Sequence, residues 1–565
     1  MLPACIGSIC KKAPRWSLFT LCLLIQTAQA GQPASDAIAS AHPQATAAGM
    51  AVLQVGGNAF DAAVAVSAAL AVVEPYSSGI GGGGFWLLHR ASDGKQVMVD
   101  GRERAPLAST RNMYLDEMGE PIDGLSINGP LSAGIPGEPA ALVHIAEKYG
   151  RLPLQLSLAP AIHLARDGFA VDKQYRKMAG FRLKALQKSS AATEQFLLKG
   201  EIPPIGHKIV QADLADTLQA IAEQGTVGFY HGEVAQRLVD GVKKAGGIWS
   251  LEDLAQYKVI ERAPLVGQYR GRRVVSAAPP SSGGVILIEM LNMLQQLDIQ
   301  RFDSTQRVHL MTEVMRRAYE DRALHLGDTD FVDVPLDHLL SPSYARLRVS
   351  DINPDKASVS QTISGLAEME GNDTTHFSII DKAGNRVSAT LSVNYPFGSC
   401  FVPPGTGVLL NDEMDDFSIK PGTPNAYGLV GNEANAIEPG KRMLSSMSPT
   451  FIETDDDVAI LGTPGGSRII SMVLIGALEA MRNAPVDHWV GRARFHHQYL
   501  PDVIQFEPGA LSEKTQNKLR VKGHELEEKD DYYGNMQAVH WDKKTNKVTA
   551  GSDPRGIGAA AVIPE

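Results

Sequence analysis

A mixed α+β fold is predicted by three features of the 565-residue sequence. Helical periodicity dominates 139–224 and 285–326. Short β-rich runs separated by turn residues occupy 376–411 and 450–463. The length is enough for a large core, as roughly two to four domains or as one large α/β unit. No period of 20–50 residues repeats, which excludes solenoids and propellers.

Taken in chain order, residues 1–30 read as an export signal. Lys11, Lys12 and Arg15 form a basic region, Trp16 to Ile25 is mostly apolar, and Ala28-Gln29-Ala30 supplies a small-x-small cleavage site before Gly31. The apolar run is too short to span a bilayer, and Leu21 stands where lipidation of Cys22 would want a small residue. An exported protein, periplasmic or secreted, is expected. Cys5, Cys10 and Cys22 leave with the signal, so Cys400 remains alone and no internal disulfide forms. The signal carries three basic and no acidic residues, and its loss takes the net charge from −10 to −13. That balance argues against nucleic acid or an anionic membrane as partner.

Residues 45–75, rich in Ala and Val and punctuated by Gly56, Gly57 and Pro75, read as buried helices. Their apolar part, Ala62 to Val73, falls short of the ~20 residues of a membrane span, so no span is expected after signal removal. Gly79, Gly81 and Gly84 satisfy G-x-G-x-x-G but follow a helical run and precede the strand-like FWLLHR, the wrong context for a nucleotide. The stretch 327–373, rich in Asp, Pro and Ser, is the most irregular. His496 and His497 are adjacent, point to different faces and lack a third ligand at metal spacing. They are expected to be structural, as is the turn Asp553-Pro554-Arg555.

The chemistry centres on the run Asp373-Thr374-Thr375-His376-Phe377-Ser378, which sets a small nucleophile where a strand begins. A threonine hydroxyl attacks only if something takes its proton, and the residue's own α-amino group can do so. A free amine at Thr374 requires that the Asp373–Thr374 bond be cut. The chain is therefore expected to be a precursor that splits into 31–373 and 374–565, with Thr374 Oγ attacking the Asp373 carbonyl and water opening the resulting ester. The threonine methyl restricts χ1 and holds the oxygen in place. The same run also suits the plain start of an edge strand.

The surrounding blocks carry more weight. TTHFSIIDKAGNRVSATLSVN, LLNDEMDDFS, LSSMSPT, GTPGGSRII and RFHHQYLPD follow in order. Upstream lie GGNAFDAAVAVSAALAVVEPYSSGIGGGGFWLL, DGRERAP, GIPG at 134–137 and PPSSGG at 279–284. Together they resemble the γ-glutamyltransferases over nearly the whole chain after the signal. The resemblance implies an N-terminal-nucleophile hydrolase, a four-layer αββα sandwich built jointly by two subunits cut from one precursor into a single catalytic unit, with no cofactor and no metal.

It also implies roles. Thr374 is nucleophile and, through its amine, base; Ser392 hydrogen-bonds to it, and Gly465 and Gly466 form the oxyanion hole. Arg102, Ser445 and Ser446 hold the substrate carboxylate, Glu413 and Asp416 its ammonium, and Asn394 the glutamyl group between them. Tyr427 gates a lid over Pro421 to Asn432. These types suit a zwitterion, which needs a cation and donors at one end and acceptors at the other, while glycines let N–H groups approach an oxyanion. Read singly, the charged residues also suit solvated groups or ion pairs, and Gly465-Gly466 a turn after the strand Val458 to Gly462. Two departures keep the chemistry: Ser392 stands where many members have Thr, and Glu413 where some bacterial members have Gln.

The implied activity is cleavage of γ-glutamyl amides such as glutathione through a γ-glutamyl-threonine ester, with transfer to water, amino acids or peptides. A glutaryl-cephalosporin-type acylase or another γ-glutamyl amide hydrolase of the same fold is one alternative, disfavoured by Arg102, Asp416 and the lid. A non-catalytic exported protein that binds γ-glutamyl compounds is another, and a processed but inactive heterodimer a third.

Overall fold

Two antiparallel sheets lie face to face between layers of helices in the computed structural model, which describes residues 31–361 and 374–563. The expected signal peptide and Asp373 lie outside the described residues. One sheet runs Ala559–Val562, Ala37–Ser40, Thr375–Ile380, Arg386–Ser392, Gly83–Arg90, Lys95–Gly101, Ile260–Arg262. The other runs Lys547–Ser552, Gln537–Asp542, Asp457–Gly462, Thr450–Glu453, Arg272–Ser276, Leu265–Tyr269. Both sheets combine strands from before and after position 374, so neither half of the chain owns a sheet.

The strands are rich in β-branched and aromatic residues, and Leu87, Val275, Ile380, Phe451, Ile460 and Val539 fill the gap between the sheets. Under the first turn of the Thr375–Ile380 strand that gap becomes polar. His376 Nδ1 meets Thr390 Oγ1 at 2.8 Å, Ser388 Oγ donates to the Leu461 carbonyl at 3.2 Å, and Ser378 Oγ donates to the Gln537 carbonyl at 3.1 Å. Each hydroxyl is satisfied, as burial demands.

The helices Pro43–Gln54 and Ala59–Val73 cover the outer face of the first sheet. The second is buried along its whole length, its alanines permitting close approach, and Asn58 and Asp61 close a capping box at its start. The helices Gly283–Leu297 and Ile469–Ala480 cover the second sheet. Helix, sheet, sheet, helix is the four-layer order expected.

Two expectations need correction. The described part of the stretch 327–373, up to residue 361, is less irregular than its composition implies, since it contains the short helices Leu336–Leu339 and Pro342–Val349. The β-rich stretch 376–411 holds strands only as far as Ser392. Beyond it Asn394, Phe397, Gly398 and Cys400 all have positive φ, which folds the chain back over the sheet end instead of extending it.

The segment leading toward residue 374 is held down. Ser358 N donates to Glu313 Oε1 at 3.0 Å, Arg316 Nη1 to Ser360 Oγ at 2.7 Å, and Ser360 N to Asp502 Oδ2 at 2.7 Å. Its anchors thus come from the long helix Ser304–His325 and from the loop after His497.

Candidate active site

Thr374 immediately precedes the strand Thr375–Ile380, in the middle of the seven-stranded sheet, and is only 6% exposed. Antiparallel pairing of Thr375 with Leu391 sets Ser392 opposite Thr374. Ser392 Oγ accepts from the Asn394 N–H at 2.8 Å. Asn394 sits at φ +74°, a conformation that asparagine tolerates better than most residues, and its Nδ2 donates to the Asp412 carbonyl at 3.0 Å. The strained residue is therefore fixed from both sides.

One pocket gathers nearly every expected residue: Thr374, Ser392, Asn394, Arg102, Glu413, Asp416, Tyr427, Ser445, Ser446 and Gly466 all line it. Gly465 lies one residue outside that lining, at φ +139°. Gly466, at φ +55°, opens a helical turn running directly into the helix Ile469–Ala480. Its N–H therefore lies at the positive end of a helix, where anionic charge is stabilised.

Tyr427 closes the pocket. Its hydroxyl donates to the Asn394 carbonyl at 2.6 Å, and its ring packs so tightly on Gly466 that a Cβ there would fall 2.5 Å from Cδ1. The lid is also tied to the floor by Asn425 Nδ2, which donates to Asp416 Oδ1 at 3.1 Å. About 20 Å³ of open space remains beneath, room for little more than a water.

The charged groups expected at opposite ends of a ligand pair with one another. Arg102 Nη1 donates to Glu413 Oε2 at 2.5 Å and Nη2 to Asp416 Oδ2 at 2.6 Å, while Nε reaches the Met443 carbonyl at 3.2 Å. Glu103 also lies 3.5 Å from the guanidinium. Three carboxyls around one buried cation cannot all stay ionised. Burial, aided by the neighbouring carboxylates, holds Glu413 well above the ordinary carboxylate range despite Arg102, and burial pushes Glu103 up to about 8. Burial works against the charge on Arg102, but the surrounding carboxylates outweigh it and keep the guanidinium cationic. Among the described residues Glu413 Oε1 has no hydrogen-bond partner though buried, and it belongs to the pocket wall, where an ammonium donor would satisfy it.

Two residues of the site escaped sequence reasoning. Arg322, on the helix Ser304–His325, is buried and has no carboxylate partner among the described residues. Its Nη2 donates to Ser446 Oγ at 3.3 Å, and its Nε to Ser282 Oγ at 3.0 Å, whose hydroxyl in turn donates to the Ser445 carbonyl at 2.7 Å. It braces both serines and turns the Ser446 proton away from itself. Glu74, at the end of the Ala59–Val73 helix, accepts from Thr375 Oγ1 at 2.8 Å, and burial pushes it up to about 7. Both looked like ordinary charged helix residues.

The decoys fall as expected. The glycine run 81–84 leads into the strand Gly83–Arg90, not a helix. His496 bonds Ser471 and Gln498, His497 bonds Asp502, and Arg555 ties Asp553 to Glu507. His309, Glu313 and His524 lie close enough to hold a metal, but His309 Nδ1 meets His524 Nε2 at 2.7 Å. The Glu313 oxygens are already taken by Ser358 N–H and Arg317.

A family model described as gamma-glutamyltranspeptidase matches residues 45–563. The chain is 47% identical over 495 residues to a glutathione hydrolase proenzyme from Pseudomonas sp. (strain A14), covering 86% of each. It is 41% identical over 529 residues to a glutathione hydrolase proenzyme from Escherichia coli (strain K12), covering 92% of this chain and 90% of that one. Its fold matches the crystal structure of a cephalosporin acylase from Bacillus halodurans with a TM-score of 0.81 at 29% identity, over 94% of this chain and 96% of the other. The layer order and that likeness make the fold an αββα sandwich of N-terminal-nucleophile type. With the family match running through Thr374, Arg102 and the pocket wall, the chain belongs to the gamma-glutamyltranspeptidase family.

Proposed function

We propose that the chain is a self-processing γ-glutamyltransferase that cleaves glutathione and related γ-glutamyl amides and passes the acyl group to water, amino acids or peptides. The observation that carries the reading is the single closed pocket holding Thr374 beside a cation, two hydroxyls and an orphaned carboxyl oxygen. The relatives described as glutathione hydrolase proenzymes support both the reaction and the processing.

In the first step Thr374 Oγ attacks the Asp373 carbonyl, and water opens the ester, giving pieces 31–373 and 374–565 that remain one heterodimer. The new amine then takes the Oγ proton as Oγ adds to the γ-carbonyl. Gly465 and Gly466 N–H groups meet the oxyanion, the leaving amine takes the proton, and a γ-glutamyl-Thr374 ester remains. Arg102, with Ser445 and Ser446, exchanges its internal carboxylates for the substrate's, while Glu413 and Asp416 receive the ammonium, which is why these groups pair in the resting pocket. Export to the periplasm is proposed from the first 30 residues.

An acylase reading draws on the likeness to a cephalosporin acylase, but the lid seated by Tyr427 and the zwitterion-matched walls favour a glutamyl donor. The test is intact mass and N-terminal sequencing of wild type beside Thr374→Ala, together with hydrolysis of γ-glutamyl-p-nitroanilide. Two wild-type fragments, the smaller beginning at Thr374, an uncut mutant and donor turnover are expected. A folded, uncut wild type refutes the proposal.

A further inference from the structure

Glu74 sits where a carboxyl is hard to keep. It is the C-cap of the helix Ala59–Val73, at the negative end of the helix dipole, and is only 3% exposed. Glycine or asparagine would serve a plain cap better. Its Oε2 accepts from Thr375 Oγ1 at 2.8 Å, Tyr76 Oη lies 3.5 Å from Oε1, and Glu74 and Thr374 line one cleft together. Among the described residues no cation offsets its burial.

The charges around it do not fill that gap. Asp172, the N-cap of the helix Lys173–Leu186, adds a repulsion and lies 4.0 Å from His42. On the cleft wall Lys177 pairs with Asp531 at 2.5 Å, and Arg555 pairs with Glu507 at 2.7 Å and Asp553 at 3.0 Å. Lys173 and the phenols of Tyr532 and Tyr533 complete the titratable groups there. Cutting the Asp373–Thr374 bond would supply the missing cation. Thr374 stands one residue before the hydroxyl that Glu74 holds, and one residue spans about 3.8 Å between Cα atoms. The freed α-amine is thus born close to the carboxyl.

We propose that Glu74 is the counter-charge of the Thr374 amine: it pins the ammonium exposed by self-cleavage at the start of the strand and takes its proton back when the amine must receive that of Oγ. The inference rests on the self-processing γ-glutamyltransferase reading and deepens it. In the uncut chain burial, the largest influence, pushes Glu74 up to about 7, so near neutrality it can hand a proton to a new neighbouring amine. One proton then crosses from carboxylic acid to amine, leaving carboxylate and ammonium. In each acylation that proton returns to a Glu74 oxygen. The neutral amine accepts the Oγ proton as Oγ bonds to the γ-carbonyl carbon, and gives it to the leaving nitrogen as the bond from that carbon breaks. Because an opposite charge favours the ammonium, the amine is expected to titrate above the about 7.7–8.0 of an ordinary N-terminus.

The test titrates that amine directly. Processed wild type, Glu74→Gln and Glu74→Asp are labelled with acetic anhydride across pH, the peptide beginning at Thr374 is read by mass, and kcat/KM for γ-glutamyl-p-nitroanilide is followed over the same range. Glu74→Gln keeps an acceptor for Thr375 but no charge. Its labelling midpoint and the acid limb of kcat/KM are both expected to fall by about one pH unit or more. Glu74→Asp draws the carboxylate back by one methylene and is expected to move both the same way by less; it carries the test if Glu74→Gln stays uncut. Variants whose midpoint and limb coincide with wild type, with only the rate or the melting temperature lowered, overturn the inference, since a purely structural role predicts that result. A processed wild type that turns over no donor refutes the γ-glutamyl reaction, and the labelling midpoint still decides the place of Glu74. An uncut wild type overturns both.

Discussion

At the level of single residues the site is built as a set of mutual substitutes. In the proposed reaction Arg102 gives up its contacts with Glu413 and Asp416 to take the substrate carboxylate, and those two carboxyls take the ammonium, so binding exchanges contacts instead of creating them. This has a pH consequence. Glu413 is held well above the ordinary carboxylate range chiefly by burial, which favours its neutral form in the free enzyme. An ammonium favours its ionised form, and donor binding therefore releases a proton. Raising the pH favours the ionised form of Glu413 beforehand, and the donor KM is expected to fall as the pH rises. In Glu413→Gln the amide oxygen still accepts from the ammonium but does not titrate, so the KM is expected to be flat with pH and about tenfold above wild type at the alkaline end. Initial rates across pH decide it: a wild-type KM independent of pH, or a variant with the same slope, removes Glu413 from this role.

At the level of elements, Thr374, the proposed nucleophile, is placed by what lies beneath its strand. His376, two residues after Thr374, is fully buried between the sheets and fixed by Thr390 and Ser378. Gly462, the last residue of the facing strand, leaves space for that ring, since a Cβ there would lie 2.3 Å from Cε1 and 2.5 Å from Nδ1. Gly462→Ala must part the sheets or move His376. A loss of about 1–3 kcal/mol is expected, with slower conversion of precursor to fragments, read by gel over time and by thermal melting. Wild-type processing and melting together would show that the strand does not depend on this contact. The sequence showed the strand but not this dependence, because His376 and Gly462 meet across two sheets. The pocket residues were legible because each sits in a contiguous block such as LLNDEMDDFS or LSSMSPT. Arg322 was not, since on a long amphipathic helix it looked like one more charge among Arg316, Arg317 and Glu320, and its serine partners lie 40 and 124 positions away.

At the level of the whole molecule, burial sets two opposing groups of titrations. His42 is lowered to about 4, and His89, His376, His496 and His524 to about 3, mainly by desolvation. The unfolded chain protonates these rings near 6.5 while the folded one does not, so their contribution is fully present above pH 6.5 and lost as the pH falls. Buried carboxyls act in the other direction. Glu138, whose two oxygens have no hydrogen-bond partner among the described residues, is pushed up to about 8 by burial alone, and burial is also the largest cause that raises Glu103 to about 8. The unfolded chain ionises them above 4.5 while the folded one resists, so their contribution is present at low pH and lost as the pH rises through 8. Below 4.5 the histidines act, joined by carboxylates held low such as Asp502 and Glu453, whose stabilisation is also lost as the pH falls, and between 6.5 and 8 the raised carboxyls act. The melting temperature of the uncut Thr374→Ala chain is therefore expected to peak between pH 4.5 and 6.5 and to fall on both sides. Glu138→Gln is expected to flatten the alkaline fall by removing one of the groups that produces it, while leaving the acid side as it was. A melting temperature that rises steadily from pH 6.5 to 8, or an alkaline slope unchanged by Glu138→Gln, would mean that these carboxyls are ionised in the folded protein.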